Sequence, residues 1–216
     1  MKTTKTTLIL IALFAITFSC KKKKTAPTLT LNGESSITIC LGDVFTDPGA
    51  MSIDAYDEDI SSLIEVVSNV NSDSLGSYTI EYTSTDENDN VSVLTRNVQV
   101  LMCVSSIIGD YTVSHDCTIL GQNIIGENQS ISLGATDNDF NIDNFNTFIN
   151  QVPATIDGVN VTVPTNVFTI GSGLLSADVT IDGTGTINDL GTEITIEYNY
   201  DAGLLGSGTC TAVYTK

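Results

Sequence analysis

An all-β chain of two successive domains is what this sequence predicts, on three observations. Segments such as Ser36-Ile37-Thr38-Ile39-Cys40, Tyr78-Thr79-Ile80-Glu81-Tyr82 and Thr192-Glu193-Ile194-Thr195-Ile196-Glu197-Tyr198 alternate apolar and polar residues with period two. That period turns one face of each strand to a core and the other to water. Clusters of Gly, Asn, Asp and Ser separate these segments at short, fairly regular spacing, the punctuation of a β-sandwich or barrel. Helical spacing is nearly absent. Beyond a leader, about 190 residues make one large β domain or two small ones, and the cysteine positions favour two.

The elements follow in chain order. Lys2 and Lys5 form a positive start, and Leu8 to Phe18 is an apolar and small-residue run of secretory type. A span needs about 20 apolar residues, so this run is too short to cross a bilayer. Thr17-Phe18-Ser19-Cys20 closes it. This tetrad resembles the lipobox of bacterial lipoproteins, with Thr where the strictest form prefers Leu, and is similar to the relaxed lipoboxes of the Bacteroidetes. The resemblance implies a signal peptide over residues 1–19 and Cys20 as the acylated start of a lipid-anchored envelope protein, with residues 20–26 as a tether. Outer-membrane attachment is expected. The acidic export signature that sends Bacteroidetes lipoproteins to the cell surface is absent, so the periplasmic and surface faces both stay open.

The formal charge of -18 conceals an asymmetry. Six of the eight basic residues lie at or before Lys24, and from Thr25 onward Arg96 and Lys216 face 26 acidic residues, a balance of -24. Nucleic-acid recognition needs clustered Lys and Arg, so such a body is excluded from it. The run Lys21 to Lys24 reads as a solvated spacer beside the lipid, where each basic residue contributes about 1 kcal/mol against anionic head groups.

Export to an oxidising compartment makes disulfides the expected state of Cys40, Cys103, Cys117 and Cys210. Four cysteines allow three connectivities, and the spacing alone chooses none of them. Pairing within each domain gives 40 with 103 and 117 with 210. A metal reading is weak, since no CxxC spacing is present and His115 is the single histidine.

The first domain, residues 27–103, begins Pro27-Thr28-Leu29-Thr30-Leu31-Asn32-Gly33 and continues through Leu41-Gly42-Asp43, Asp47-Pro48-Gly49, Gly76-Ser77-Tyr78-Thr79-Ile80-Glu81-Tyr82 and Thr95-Arg96-Asn97-Val98-Gln99-Val100. In this order the elements resemble a bacterial Ig-like domain of unknown function that recurs in pesticidal crystal proteins and bacterial surface proteins. The resemblance implies an Ig-like β-sandwich, and with it an early strand lying parallel to the last, which would place Cys40 beside Cys103. Two turn positions depart from the family: Glu58 stands where Gly is usual, and Asp89-Asn90 where Gly-Asn is usual. The second domain, residues 104–216, opens Gly109-Asp110-Tyr111-Thr112-Val113 and closes Gly208-Thr209-Cys210-Thr211-Ala212-Val213-Tyr214, which resembles small C-terminal β-meander domains of Bacteroidetes lipoproteins. Between these ends Asn160 to Pro164 and Ala177 to Ile187 read as strands of an antiparallel meander. Closure into a lipocalin-like barrel is preferred, because it removes exposed edges; an open sandwich is the alternative. Cys117 on the first strand and Cys210 on the last would tie the seam.

Candidate chemistry is thin. Ser114, His115 and Asp116 are the residue types of a hydrolase triad, but consecutive strand positions point to alternating faces, whereas a triad must converge. No GxSxG elbow occurs. Carboxylate pairs for glycoside hydrolysis arise by chance among 26 acids, and the chain has no Trp to build a sugar subsite. Calcium is the stronger candidate, through Asp54, Asp57, Glu58 and Asp59 in one loop and Asp86, Glu87 and Asp89 in another. EF-hand spacing is missing, and turn capping by Asp and Asn is preferred. Asp137-Asn138-Asp139 has the same two readings. Asp73-Ser74-Leu75 is similar to the short O-glycosylation acceptor of exported Bacteroidetes proteins, with Ser74 as the carrier. The sequence thus favours a non-enzymatic envelope lipoprotein, its Ig-like domain a spacer or adhesion module that presents the C-terminal domain to a protein or glycan. The runner-up holds a small ligand or carbohydrate in the barrel lumen, and an envelope hydrolase is a minor third. No cofactor is expected unless calcium binds.

Overall fold

The computed structural model describes residues 24–119, 122–123, 125–146, 148–170 and 176–216. The expected signal peptide, the expected lipidation residue Cys20 and Lys21 to Lys23 lie outside the described residues. The chain is all-β: an Ig-like region is followed by a closed eight-stranded antiparallel barrel. In the first region β1 (Thr28–Leu31) pairs with β3 (Ala50–Ile53), and a second sheet runs in the order β2 (Ser36–Cys40), β6 (Val91–Leu101), β5 (Gly76–Thr85), β4 (Glu65–Ser68). One helical turn, α1 (Val104–Ile107), leads into the barrel. The barrel comprises β7 (Gly109–His115), β10 (Asn128–Leu133), β11 (Asp139–Asp143), β12 (Gln151–Asp157), β13 (Asn160–Ile170), β14 (Ala177–Ile187), β15 (Glu193–Asp201) and β16 (Ser207–Thr215). A two-residue ladder, β8 (Thr118–Ile119) with β9 (Gln122–Asn123), stands between β7 and β10.

Two compact units interleave along the sequence. Among the described residues, the smaller one holds residues 24–30 with Ala50–Glu65 and Tyr82–Leu94. Inside it Ser52 and Ser84 share a buried hydroxyl-to-hydroxyl hydrogen bond of 2.7 Å. One hydroxyl donates and the other accepts, so each buried oxygen has a partner.

The larger unit holds Leu31–Gly49, Val66–Glu81 and Thr95–Lys216. Here β2 runs parallel to the end of β6, from Ser36 opposite Asn97 to Cys40 opposite Leu101. Cys40 is bonded to Cys103, with Cα atoms 5.5 Å apart. Beside this ladder lies a fully buried cation. Arg96 donates from Nε to the Glu34 carbonyl at 3.1 Å, from Nη2 to the carbonyls of Asn32 at 2.6 Å and Gly49 at 3.2 Å, and from Nη1 to the Asp47 carboxylate. The planar fork of guanidinium donors suits such a divergent set of acceptors. It fastens β6 to the β1–β2 connection and to the Asp47-Pro48-Gly49 turn, where Gly49 takes φ +80°.

The same unit carries a continuous apolar core from the Ig-like strands into the barrel: Leu41, Val100 and Met102 cluster with Val104 and Ile107 of α1 and with the barrel interior. Polar ties flank that core. Ser106 donates from Oγ to the Leu41 carbonyl at 2.9 Å, Tyr111 donates to the Ile107 carbonyl at 2.6 Å, and the Lys216 ammonium donates to the Ser106 carbonyl at 3.1 Å. The short connection between the two regions is therefore packed and hydrogen-bonded.

Each barrel strand pairs with its neighbour in sequence, and β16 closes onto β7 from Ala212 opposite His115 to Thr215 opposite Thr112. The seam is crossed by the Cys117–Cys210 disulfide, Cα atoms 5.1 Å apart. Cys117 was expected on the first strand; it lies two residues past the end of β7, because the chain leaves the ladder at Asp116. There the Asp116 amide donates to the Thr211 carbonyl at 3.3 Å, and its carboxylate accepts the Thr211 amide at 2.7 Å. Nor does β13 stop at Pro164. A register shift between Val163 and Asn166 absorbs the proline, which has no N–H to give the ladder, and the strand resumes to Ile170.

Inward positions alternate with outward ones on every strand. Tyr111, Val113, Ile131, Phe140, Ile142, Val152, Ala154, Val161, Val163, Ile181, Ile194, Ile196, Tyr198 and Tyr214 are all buried. Large residues are admitted by small ones opposite. A Cβ on Gly185 would stand 2.2 Å from the Thr195 carbonyl oxygen, and one on Gly183 2.6 Å from that of Glu197, so β14 and β15 approach more closely than any side chain permits. At the centre the hydroxyls of Tyr198 and Tyr214 share a hydrogen bond of 2.7 Å, with Phe145 edge-on to Tyr198 and Tyr111 edge-on to Tyr214.

Burial raises the phenol pKa of Tyr198, with the Tyr214 charge and hydrogen bond adding to it, and burial likewise raises those of Tyr214 and Tyr111. Their folded-state values lie above the ordinary 10.0, so the stability linked to them is complete below that pH and is lost as pH rises through the folded-state values. In an alkaline absorbance titration these three phenols should ionise only as the barrel unfolds. Tyr198→Phe, which strands the Tyr214 hydroxyl, should cost about 1 kcal/mol in urea unfolding, and adding Tyr214→Phe should recover most of that loss. Arg96→Met should be more damaging, at about 3 kcal/mol, because it leaves three carbonyls and a carboxylate without their donor. Asp47→Asn, at a partly exposed position, should cost about 1 kcal/mol.

Candidate functional site

The acidic loops were expected either to hold calcium or to cap turns, and their geometry is that of turns. Asp54 Oδ1 accepts the amides of Tyr56 at 2.7 Å and Glu58 at 2.8 Å, while the Asp54 amide donates to the Glu58 carbonyl at 2.9 Å. Asp86 repeats this arrangement: Oδ1 accepts Asn88 N at 2.8 Å and Asn90 N at 2.9 Å, and its own amide donates to the Asn90 carbonyl at 3.0 Å. In both loops the fourth residue takes a left-handed backbone, Asp57 at φ +65° and Asp89 at φ +66°. The same five-residue turn is thus built twice, and Asp tolerates αL better than most side chains do. At the Asp89 position the family's usual Gly is replaced by a residue that still adopts the required backbone. In the other loop the strained position is Asp57, one residue before Glu58.

Asp59 accepts the Ser61 amide at 2.9 Å and the Ser61 hydroxyl at 2.6 Å, and these bonds lower its pKa from the ordinary 3.8. The second oxygen of Asp86 accepts the Asn90 side-chain amide at 2.8 Å. These oxygens face amides of their own loops. Among the described residues, the group that brings three Cys, His, Asp or Glu ligand atoms within 4.8 Å of one another is Asp116, Cys117 and Cys210. Its two sulfurs are bonded to each other, so it offers no metal three free ligands. Asp139, of the third acidic loop, starts β11, and its amide donates to the Thr136 carbonyl at 3.0 Å.

The Ser114, His115, Asp116 series belongs to the barrel seam. Ser114 pairs with Val213 and His115 with Ala212, and His115 Nδ1 accepts the Cys117 amide at 3.3 Å. With the Asp116 carboxylate on the Thr211 amide, the three side chains serve separate structural partners. Ser74 is exposed, in a turn where the Asn71 side chain accepts the Asp73 amide at 3.1 Å and Tyr78 donates to the Ser74 carbonyl at 2.8 Å. Its hydroxyl is open to an acceptor role.

The lumen reading required an internal pocket with a few polar groups. Bulky buried side chains occupy the interior instead, with the tyrosine pair already satisfied. Among the described residues the lumen is lined as a packed core. The register does divide the barrel into two ends. Gly109, the β10–β11, β12–β13 and β14–β15 turns and the C-terminus share the end at α1; the β11–β12 and β15–β16 connections lie at the other, where Phe148, Leu204 and Leu205 are exposed.

Sequence reasoning missed a cavity of about 580 Å³ in the Ig-like region. The connection after β2 supplies Gly42, Asp43, Val44, Phe45 and Asp47; the other wall comes from β4, the β4–β5 hairpin and β5. The one signal for it is Val44-Phe45, an apolar pair in a segment without strand alternation. A smaller cavity of about 370 Å³ lies along β7 and β10 beside Gln129. Gln129 is buried, its amide nitrogen donating to the Gly126 carbonyl at 2.8 Å while Oε1 has no protein partner.

Residues 29–100 match the family of the bacterial surface protein, Ig-like domain. None of the curated proteins matches the chain. Among solved structures it is similar to the lipoprotein BT2262 from Bacteroides thetaiotaomicron, at 19% identity and a TM-score of 0.34 over 88% of this chain and 100% of that one. It is also similar to a structure of the CBM51-2 and INT domains from Clostridium perfringens ZmpB in complex with GlcNAc, at 15% identity and a TM-score of 0.30 over 88% of this chain and 44% of that one.

The turn geometry carries a prediction. Asp86→Ala should destabilise the chain by about 2 kcal/mol, because it removes three bonds to a buried carboxylate. Millimolar calcium should leave the melting temperatures of wild type and variant where they were. A rise in the wild type alone would return these loops to the calcium reading.

Proposed function

We propose that this chain is a non-enzymatic, lipid-anchored protein of the bacterial cell envelope. In this reading its Ig-like segment, residues 27–103, is a spacer or adhesion module that presents the C-terminal domain, residues 104–216, to a protein or glycan partner. The observation that carries it is the apolar core running from Leu41, Val100 and Met102 through Val104 and Ile107 into the barrel. A hinge between a binding module and its carrier would be polar and sparsely packed; this junction is dry and tied by three hydrogen bonds. The match of residues 29–100 to a bacterial surface Ig-like family supports an envelope setting. Exposed Phe148, Leu204 and Leu205, in connections at the barrel end away from α1, support contact there, since exposed apolar surface marks interaction sites.

Anchoring follows from Cys20 and its lipobox-like context, and the outer membrane is the expected membrane. Protease shaving of intact cells tests the face. Loss of the chain from intact cells is the expected result for a surface module. Protection in intact cells with digestion after permeabilisation would place it on the periplasmic side and end the adhesion reading, and Cys20→Ser should release the protein from membranes in either case.

A further inference from the structure

We infer that the cavity beside Val44 and Phe45, together with the open edge of β4, is a docking site for an extended basic polypeptide segment of a partner protein. β4 ends the four-stranded sheet, and all four of its residues are exposed. An edge strand presents a row of unpaired backbone donors and acceptors that only another extended backbone can match, which is the basis of strand addition. Val66, Ser68 and Val70 follow each other at strand period along one wall of the cavity, with Ile80 behind them and Phe45 and Val44 opposite. Val44 is 93% exposed and Val66 52% exposed, apolar surface left in water at the rim.

The wall is held in place. Gly42 donates to the Ser72 carbonyl at 2.8 Å, which pins the connection to the β4–β5 hairpin, and Asp43 accepts the Cys40 amide at 3.0 Å next to the disulfide. A pocket of this kind is preformed, so a partner does not bear the cost of ordering it.

Charge selects the occupant. The charged side chains lining the cavity are Asp43, Asp47 and Asp73. Asp47 is neutralised by Arg96, which leaves Asp43 and Asp73 to set the sign. A second copy of this chain, itself carrying -24 beyond Thr25, is repelled from such a rim. A segment that alternates apolar side chains with Lys or Arg meets all three features at once: backbone on the β4 edge, apolar groups in the cavity, cations at the carboxylates.

The test uses the full chain with its disulfides formed and a labelled eight-residue peptide that alternates Lys and Val, read by fluorescence anisotropy. Saturable binding is expected, with none for the matching Glu and Val peptide. Val66→Lys, at an exposed position, should weaken binding by about tenfold or more, while Leu204→Lys at the barrel end should leave it unchanged. Amide exchange should slow at Val66 to Ser68 on binding. Absence of saturable binding, equal binding of the acidic peptide, equal binding by Val66→Lys, or protection confined to another strand would each overturn the assignment.

Discussion

The guanidinium of Arg96 is the interaction on which the Ig-like region depends. A fully buried cation is expensive unless its donors are met, and here four acceptors on two separate stretches of chain supply partners. These stretches are the β1–β2 connection and the Asp47-Pro48-Gly49 turn. The Asn97 amide, which donates to the Ser35 carbonyl at 2.9 Å, holds the first of them to β6 as well. The turn in turn sets the path of the connection from Gly42 onward, and hence the wall of the cavity. The parallel pairing of β2 with β6 and the Cys40–Cys103 bond continue the same fastening toward α1. A 63-residue separation closed by that bond removes much of the unfolded chain's freedom, on the order of 4 kcal/mol in the chain-entropy account.

The barrel solves a different problem. It has no buried charge to organise it, and its interior is closed by shape: tyrosines and branched aliphatics on most strands, glycines where β14 meets β15. Gly183 and Gly185 are the counterpart of Tyr198 and Tyr214, since the strands must come close for aromatic rings to fill the space within. The two tyrosine hydroxyls are the polar remainder of that arrangement, and they are disposed of by bonding to each other. A lumen organised in this way is a core, with the outer surface and the loops left for recognition.

Much of this was legible in the sequence, and the parts that were not share a cause. Period-two alternation located Ser36 to Cys40, Tyr78 to Tyr82 and Thr192 to Tyr198, because half-buried strands advertise their burial residue by residue. The ordered Ig-like elements gave the first region its fold, and the meander ends gave the second its closure. The twin turns at Asp54 and Asp86 were visible as acidic clusters, but their direction was not: whether a carboxylate faces an amide or an ion depends on backbone angles at Asp57 and Asp89. Arg96 stood out as one of two cations in an acidic body, yet three of its acceptors are main-chain carbonyls, which no side-chain pattern encodes. The lumen's filling was hidden for a related reason. Inward apolar residues look alike in a packed barrel and a hollow one, and only the approach of β14 to β15 separates the two. The cavity at Val44 was silent because it is made by a connection crossing strands distant in sequence.

Electrostatics then ties the parts together. Many carboxylates are engaged locally: Asp54, Asp59 and Asp86 on loop amides, Asp116 across the barrel seam, Asp201 on the Gly203 amide at 2.8 Å. Local engagement fixes turns without cancelling charge, so the summed field remains negative. The two cations of the body offer no relief to it, since Arg96 is buried and Lys216 is turned to the Ser106 carbonyl beside the Tyr111 ring. Such a field extends about 8 to 10 Å from the surface at physiological salt before screening removes it. Within that range it repels copies of the chain and other anionic surfaces alike, while Lys21 to Lys24 carry the opposite sign beside Cys20. Charge is thus segregated along the chain, its basic residues gathered before Thr25 and its acidic ones spread over the folded body, so an anionic surface attracts the first residues and repels the rest.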